Sequence, residues 1–270
     1  MWKLQRKYVV TGTLALKSAL HIGGGKVNVS NTDSPVVRTP EGKPFIPGSS
    51  FKGVLRSTVE KLVVSIPGLK SCQLTEGVSD CPSVDNGFPD WKRDRSETEL
   101  IKKLEQKLCH TCKLFGSPYS ASKIMIHDLT IKEWAEVTQI RDGVVIDRDS
   151  ERAKDQLKYD FEVVPPSSTF ELKICLENPT DEDLGLACLG LNEFVSEMAY
   201  IGGIKSRGLG NCKIRTDDFA IYELDLVSND KKESKEQRLK KYLLHTKLEE
   251  KMDKHPNPLQ FLQDNINTLI

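Results

Sequence analysis

Apolar residues recur with two different spacings along the chain, and together they predict an α+β architecture. Alternation of apolar and polar residues, which is typical of half-buried strands, marks four segments: 8–17, 123–131, 169–177 and 211–222. Helical spacing begins near Ser49 and stops at Pro67-Gly68, and it returns at 96–108 and at 181–200, where Met198 is among the residues expected to face the core. The order β, α, insertion, β, long excursion, β, α, β approximates the ferredoxin-like βαββαβ arrangement.

Polar stretches divide the chain into further parts. An irregular insertion occupies about 68–118, and the charged stretch 138–162, with Gly143, predicts a projecting hairpin or loop. We expect residues 1–228 to form one domain and residues 229–270 to form a charged, helical C-terminal tail. The charge-dense run 229–254 is interpreted as a solvated helix, with a partner-binding arm as the alternative.

Composition narrows the classes of function only slightly. The 270 residues include 39 Lys and Arg against 39 Asp and Glu, so net charge by itself does not indicate nucleic-acid binding, and a local basic surface would have to provide it. No apolar run approaches the length of a membrane span. The opening residues run directly into a strand pattern without the apolar core of a signal peptide, which leads us to expect a soluble, cytoplasmic protein.

The cysteines fall into two groups. Cys175, Cys188 and Cys212 each stand alone in apolar contexts and are interpreted as buried core thiols. The other four form a C-x8-C pair and a C-x2-C pair within the insertion: Cys72, Cys81, Cys109 and Cys112. Four thiolates suit one tetrahedral, structural Zn²⁺ that would stabilise an insertion too polar to fold alone. Two alternatives stay open, namely four reduced cysteines without metal and His110 as a ligand in place of one cysteine.

Two Gly-rich segments indicate a binding surface: HIGGG at 21–25 and IGGIKSRGLGNCKI at 201–214. Glycines let the backbone approach a ligand closely, and successive N–H groups in such loops bind phosphate oxygens. Basic residues lie in or beside both segments and the helix that follows the first: Lys43, Lys52, Arg56, Lys205 and Arg207. We predict a surface that holds a polyanion, although each of these cations is also consistent with a solvated surface charge.

Two residues near the first Gly-rich segment are candidates for chemistry. Asp33 lies in the loop NTDSP, where a carboxylate near a phosphodiester can hold Mg²⁺ or orient a 2′-hydroxyl for in-line attack. An Asx turn before Ser-Pro explains the same aspartate without catalysis. His21 ends the first strand and has the residue type of a general base, yet a histidine there also commonly hydrogen-bonds a loop.

Five stretches carry a family resemblance: HIGGG at 21–25, DSPVVR at 33–38, PFIPGSSFKGVLR at 44–56, CHTCKLFGSP at 109–118 and IGGIKSRGLG at 201–210. Through them the chain resembles the RAMP-superfamily proteins of type III CRISPR effector complexes, and within these the backbone subunit that repeats along the guide RNA. The segments 145–155 and 161–172 resemble that family's thumb region and the strand after it. The resemblance covers roughly residues 8–222, and the larger insertion suggests a type III-D-like variant.

The resemblance implies a fold and a set of partners. The fold would be a modified RNA-recognition-motif domain of the ferredoxin-like type, with a zinc-binding insertion and a β-hairpin thumb at about 138–160. Copies or paralogues would stack head to tail along the guide CRISPR RNA. Partners would be the guide and target RNAs and other type III effector subunits, including related backbone subunits and the large subunit.

The resemblance also implies roles for individual residues. Asp33 would cleave the target RNA with a divalent metal, Mg²⁺, and leave a 2′,3′-cyclic phosphate. Guide RNA would be bound by the Gly-rich loops and the helix start: His21, Gly23, Gly24, Ser49, Ser50, Lys52, Arg56, Lys205, Arg207 and Gly208. Because these contacts are to phosphates, sequence would be recognised by base pairing alone.

Four functions stay open at this point. The first is a guide-binding backbone subunit that is also a metal-dependent endoribonuclease acting through Asp33. The second is the same subunit without catalysis. The third is a metal-independent enzyme that processes guide precursors with His21 as its base, and the fourth is a zinc-containing interaction module unrelated to RNA.

Overall fold

The computed structural model of the chain describes residues 3–24, 32–74, 81–84, 96–149, 151–229 and 233–270. Parts of the expected features lie outside the described residues: Gly25 of the first Gly-rich segment, 75–80 and 85–95 of the insertion, Ser150 of the projecting stretch and 230–232 of the tail. No helix within the described ranges combines the length and the apolarity that crossing a membrane requires.

The described residues form strands and helices in a mixed order. The strands are β1 Arg6–Leu16, β2 Phe45–Ile46, β3 Ile124–Ile126, β4 Leu129–Glu133, β5 Gln139–Ile146, β6 Ala153–Val163, β7 Thr169–Glu177, β8 Cys212–Ile214, β9 Ala220–Asp225 and β10 Asp253–Lys254. The helices are α1 Gly48–Val63, α2 Glu97–Lys107, α3 His110–Phe115, α4 Asp181–Val195, α5 Lys235–Leu244, α6 Leu248–Lys251 and α7 Pro258–Asn267, with a 3₁₀ turn at Lys205–Arg207.

The main sheet is antiparallel and is built around β1. Its order is β10-β9-β1-β7-β4-β2, with β3 also paired to β7 and β8 also paired to β1. The longest register runs from Lys7 opposite Glu177 to Ala15 opposite Thr169. A separate antiparallel hairpin, β5–β6, follows β4. The expectation that the chain combines helices and strands in one α+β architecture is therefore confirmed, and the sheet is antiparallel.

The period-2 pattern of β1 places residues on opposite faces of the sheet. Tyr8, Val10 and Leu14 pack into the main core with α1 and α4, whereas Val9 joins a smaller apolar cluster on the other face. At the centre of the main core Phe51 stacks on Phe194, with ring centroids 4.7 Å apart. Truncating either ring would cost about 3–5 kcal/mol through lost burial and the cavity that remains.

Two predicted strands are each divided, and a polar contact explains each division. The pattern at 123–131 separates into β3 and β4 because the Asp128 carboxylate accepts the Gly48 N–H at 2.7 Å and leaves the ladder. The pattern at 211–222 separates into β8 and β9, and between them Asp218 accepts the Thr13 N–H at 3.1 Å. Both short carboxylates accept backbone N–H groups of segments that are distant in the sequence, and these contacts compete with strand pairing.

Helix α4 ends at Val195, five residues before the end of the predicted helix. Glu197 adopts φ +62°, and the N–H of Met198 bonds the Glu193 carbonyl oxygen in a wider turn. The chain therefore leaves the helix before Met198, whose side chain is 67% exposed. The expectation that Met198 faces the core was wrong.

The charge-dense run 229–254 does not form one solvated helix where it is described. It divides into α5, α6 and the edge strand β10, which pairs with β9 at Asp253–Glu223 and Lys254–Tyr222. Met252 is buried in the cluster on the second face of the sheet, and Tyr242 and Leu248 pack against it. These few apolar residues, spaced between the charges, hold the run against the sheet.

Candidate nucleic-acid interface and metal centre

The two Gly-rich segments, far apart in sequence, lie side by side in the structure. The N–H of Gly203 donates to the His21 carbonyl oxygen at 2.9 Å. Gly202 has φ +83°, and a Cβ there would lie 2.3 Å from the same oxygen. Only glycine fits this approach. The pairing of the two loops that the sequence suggested is thus a property of the fold.

An open groove of about 370 Å³ runs between these loops and the start of α1. Residues from all three parts line it, among them Gly23, Ser49, Ser50, Gly53 and Gly202. The groove therefore combines small side chains with backbone at the positive end of a helix dipole, which favours anionic groups.

The N-terminus of α1 is held in position by glycine and aspartate. The Gly48 N–H donates to Asp128 Oδ1 at 2.7 Å, and a Cβ on Gly48 would lie 2.4 Å from the Ile126 carbonyl oxygen. This close packing aims the first turn, with Ser49 and Ser50, at the groove. The glycine of the PGSS sequence is thus required for packing at this helix start.

Lys52 and Arg56, both predicted to bind RNA, have their polar contacts outside the groove, with Ser122 for Lys52 and with the insertion for Arg56. Lys52 Nζ donates to Ser122 Oγ at 2.8 Å. Arg56 donates to Glu60 Oε1 at 2.8 Å, to the Gly116 carbonyl oxygen at 3.1 Å and to Cys112 Sγ at 3.4 Å. Burial, with the neighbouring Arg56 charge, lowers the pKa of Lys52. Arg56 therefore connects α1 to the cysteine cluster.

The two cations of the second Gly-rich loop, Arg207 and Lys205, form no hydrogen bond or ion pair with the described part of the insertion. Arg207 donates through Nη1 to the Tyr159 hydroxyl on β6, which ties this loop to the hairpin. Gly208, at φ +84°, ends the 3₁₀ turn in a conformation that glycine favours. Burial lowers the pKa of Lys205, and so does the charge of Lys61, which lies near it on α1.

Asp33 lies exposed beside the β5–β6 hairpin. Its N–H donates to Asp160 Oδ1 at 2.6 Å, and its Oδ2 accepts the Asp160 N–H at 3.1 Å. Two carboxylates are thus held next to each other at the surface. Carboxylate oxygens are the protein ligands that Mg²⁺ prefers, usually one or two with retained water, and this pair fits that requirement.

Glu162 anchors the loop that carries Asp33. It accepts the Val36 N–H at 2.9 Å and an Arg38 N–H at 2.5 Å, and the Thr138 hydroxyl also donates to it. Although burial opposes ionisation, these hydrogen bonds and the Arg38 charge lower the pKa of Glu162. The loop after the first Gly-rich segment is therefore held to β6 by a charged network.

His21 is fixed by the same strand. Its Nδ1 lies 2.7 Å from the Glu162 carbonyl oxygen, which can only accept, so Nδ1 carries the proton. In the neutral ring Nε2 is then the acceptor. A Cβ on Gly23 would lie 3.7 Å from Nε2, so this nitrogen faces the first Gly-rich loop. His21 thus binds a loop carbonyl, and its second nitrogen remains chemically competent as a base.

The four cysteines of the insertion converge in one buried cluster. The Sγ atoms of Cys72, Cys81, Cys109 and Cys112 all lie within 4.8 Å of one another, and those of Cys72 and Cys112 are 3.6 Å apart. Thiolates bound to one zinc at about 2.3 Å would be roughly 3.8 Å apart. The donor set and its spacing fit a closed, tetrahedral Zn²⁺ site, which leaves no position open for substrate.

The histidine next to this cluster has other partners. His110 Nδ1 accepts the Lys70 N–H at 2.9 Å, and the His110 N–H donates to the Lys70 carbonyl oxygen. Its Nε2 lies 3.7 Å from Glu182 Oε2. His110 therefore joins the two ends of the insertion, and the four-cysteine set is complete without it.

The four cysteines affect one another's ionisation through their close contacts. Hydrogen bonds from the other thiols lower the pKa of Cys81, whereas burial raises that of Cys72 to about 11. Four thiolates cannot form together in this buried space without a cation to neutralise them. Arg56, which donates to Cys112, supplies part of that charge.

Three residues of the site were not identified from the sequence: Lys61, Asp160 and Glu162. In the sequence Lys61 cannot be distinguished from a solvated lysine on a helix, and only the structure shows that it lies near Lys205. Asp160 and Glu162 share one face of β6 by alternation, a signal that was present in the sequence but gave no indication of their partners.

Comparisons with known proteins show the family of the chain. A family model described as the RAMP superfamily matches residues 13–213. Among similar proteins, one from Methanothermobacter thermautotrophicus, named CRISPR system Cms endoribonuclease Csm3, is 25% identical over 267 residues, covering 82% of this chain and 90% of its own.

Two further proteins carry the same name. The one from Methanocaldococcus jannaschii is 25% identical and covers 78% of this chain and 80% of its own. The one from Streptococcus thermophilus is 26% identical and covers 76% and 85%. The family match spans well over half of the residues, and the chain therefore belongs to the RAMP superfamily.

Proposed function

We propose that this protein is a guide-RNA-binding backbone subunit of a type III CRISPR RNA-guided complex and that it cleaves complementary target RNA at its own segment. The observation that carries this proposal is the hydrogen bond between Gly203 and His21, which unites two Gly-rich loops around a groove at the start of α1. Such a surface suits phosphates of any sequence. The name of the similar proteins, an endoribonuclease of a CRISPR system, agrees with it.

The proposal extends to the fold and to assembly. The antiparallel sheet with α1 and α4 on one face is interpreted as a modified RNA-recognition-motif domain. The β5–β6 hairpin would act as the thumb, and its exposed Ile140, Val144 and Ile146 suit contacts with bases or with a neighbouring subunit. Related backbone subunits, the large subunit and both RNAs are the proposed partners.

Asp33 is the proposed catalytic residue. A target 2′-oxygen would attack the adjacent phosphorus, the 5′-oxygen would leave, and a 2′,3′-cyclic phosphate would remain. Asp33 would either accept the 2′-hydroxyl proton or, with Asp160, hold a divalent metal, which would supply positive charge to stabilise the phosphate. The exposed position of Asp33 leaves room for a target strand lying along the hairpin.

The cysteine cluster has a structural role in this proposal. A zinc held by Cys72, Cys81, Cys109 and Cys112 would stabilise the insertion, whose contacts through Arg56 reach α1. Because the site is closed, it has no part in cleavage.

A second function has one observation in its favour. The Asp33 carboxylate accepts the Asp160 N–H, so this aspartate already has a structural role in positioning the hairpin. A subunit that binds guide RNA without cutting would retain Asp33 for that purpose. The two functions predict different consequences of removing the carboxylate charge alone.

The deciding experiment is cleavage of labelled complementary RNA by the assembled guide complex in Mg²⁺. Asp33→Asn retains an oxygen that can accept the Asp160 N–H, whereas Asp33→Ala removes it. If Asp33 is catalytic, both variants assemble normally and lose the cuts at the positions that this subunit covers. If the Asn variant cuts like wild type, the protein is a scaffold and a neighbouring subunit carries the chemistry.

A further inference from the structure

A second concavity continues from the groove along α1. It measures about 350 Å³ and shares Val54 and Ser57 with the groove. Lys61 on α1 and Lys205 of the second Gly-rich loop lie on its walls, and Met198 and Tyr200 form another part. A ligand that fills the groove can therefore extend into this concavity without leaving the surface of α1.

Two lysine side chains, those of Lys61 and Lys205, line the same concavity. Within the ranges that the structure describes, neither the side chain of Lys61 nor that of Lys205 forms a hydrogen bond or an ion pair with another residue. Each of the two therefore raises the energy of the other, and the pKa of Lys205 is lowered by burial and by the Lys61 charge. A phosphate bound between them would relieve this repulsion and gain two charge-assisted contacts.

The remaining part of the concavity is apolar and exposed. The Tyr200 side chain is 40% exposed and that of Met198 is 67% exposed. The backbone of Tyr200 is held by a bridge to Asn211, so the ring is attached to ordered structure. An aromatic ring presents a flat surface on which any base can stack, and a thioether adapts to its edge.

We propose that this concavity is a nucleotide subsite, in which Lys61 and Lys205 bind one phosphate and Tyr200, with Met198, stacks the base of that nucleotide. The inference rests on the proposed function and adds to it a base contact that is independent of sequence. The occupant is one nucleotide of the RNA strand that the groove holds. An acidic peptide would neutralise the two lysines equally well, but it would leave the exposed ring of Tyr200 without a role, so the ring favours a nucleotide.

The test uses the full-length chain and two fluorescein-labelled probes of equal length. One is a twelve-nucleotide uridine RNA, and the other is the same sugar–phosphate backbone without bases. Binding is measured by anisotropy from low to moderate salt. The variants are Lys61→Ala with Lys205→Ala, Tyr200→Leu and Tyr200→Phe, and the control is Lys240→Ala, an exposed lysine of α5 outside both concavities.

The double lysine variant is expected to bind both probes about tenfold more weakly at low salt and to show a shallower dependence of affinity on salt. Tyr200→Leu is expected to weaken RNA binding at least about fivefold and to leave the abasic probe unaffected. Tyr200→Phe, which keeps the ring, should bind both probes like wild type, as should Lys240→Ala.

The other outcomes overturn the inference in distinguishable ways. If wild type binds RNA and all variants match Lys240→Ala, the subsite is wrong and the proposed function stands. If Tyr200→Leu weakens both probes equally, the ring supports the fold and does not stack a base. If the wild-type chain binds neither probe, the proposed function fails together with the subsite.

Discussion

Asp33 and Asp160 exchange backbone-to-carboxylate hydrogen bonds in both directions, at 2.6 and 3.1 Å, and so join the loop after the first Gly-rich segment to the hairpin. The relationship gives one aspartate two uses, because the carboxylate proposed for catalysis also positions the hairpin. A neighbouring carboxylate adds negative charge, which favours a bound divalent cation. Substitution of Asp33 and substitution of Asp160 are therefore expected to affect the position of the hairpin and the proposed cleavage of RNA to different extents.

Substitution of Asp160 tests whether the hydrogen bonds between Asp33 and Asp160 position the hairpin. Asp160→Ala removes the acceptor for the Asp33 N–H but leaves the Asp160 N–H and the Asp33 carboxylate in place. We expect a loss of about 1 kcal/mol in local stability, since one exposed hydrogen bond is removed, and faster amide hydrogen exchange along β5 and β6. Asp142→Ala, which removes an exposed ion pair with Lys158 on the same hairpin, is the matched control and should leave exchange near the Asp33 loop unchanged.

Glu162 is expected to make stability depend on pH. Because its folded-state pKa is lowered, its contribution is present above the unfolded value of about 4.3 and is lost as the pH falls through the folded-state value. Glu162→Gln removes the charge, so at pH 7 the free energy of unfolding should fall by about 1 kcal/mol. The difference from wild type should shrink below about pH 4 in urea unfolding.

The exposed Glu171 of β7 provides the comparison for this prediction. Glu171→Gln should leave the free energy of unfolding near that of wild type at every pH. A Glu162→Gln difference that stays constant from pH 7 to the acid limit would show that the lost stability comes from packing and not from the carboxylate charge.

Sequence periodicity is sufficient to predict the central strands and helices, but it does not predict where polar contacts interrupt a strand. The strand predicted at 169–177 is confirmed as β7, and the helix near Ser49 as α1, because both bury a regular apolar stripe. The divisions at Asp128 and Asp218 depend on partners far away in the chain, which no local pattern records.

Candidate site residues divide in the same way. The Gly-rich loops were identified from composition, and the fold brings them together at His21 and Gly203. The basic character of Arg56 and its place beside a loop predict an RNA contact, which stays a prediction, whereas in the structure its side chain donates to Cys112 Sγ. Which face of α1 a cation occupies depends on what packs beside that helix, and the insertion that packs there begins only after the helix ends.

The four-cysteine cluster is expected to hold about one zinc per chain, measured by elemental analysis of the purified protein. Cys109→Ser should lose the metal and lower the melting temperature by roughly 5–10 °C, since a structural site contributes folding energy directly. Cys175→Ser, at a thiol in the apolar cluster on the other face of the sheet, should retain the zinc. Full metal loss with no change in melting temperature would show that the cluster does not stabilise the insertion.

Arg56 is expected to govern metal retention more than RNA affinity. Arg56→Met removes the hydrogen bond to Cys112 and the cation that offsets thiolate charge, so zinc should pass to a chromogenic chelator about tenfold more readily. Lys52→Met, one helical turn earlier and bonded to Ser122, should leave zinc release unchanged. Equal release from both variants would mean that burial of the cluster, rather than Arg56, controls the metal.

The two neighbouring glycines of the second loop provide the sharpest test of how the groove is built. Gly202 has φ +83°, and its Cβ would meet the His21 carbonyl oxygen at 2.3 Å, whereas the nearest atom to a Cβ on Gly203 is His21 Cδ2 at 3.5 Å. Gly202→Ala should therefore lower the free energy of unfolding by about 2–3 kcal/mol and weaken binding of single-stranded RNA, since the loops can no longer approach. Gly203→Ala should be nearly neutral in urea unfolding and anisotropy titration. If both substitutions weaken RNA binding equally while only the first reduces stability, the affinity depends on the open space above the two glycines, which a methyl group fills, and not on the spacing of the loops.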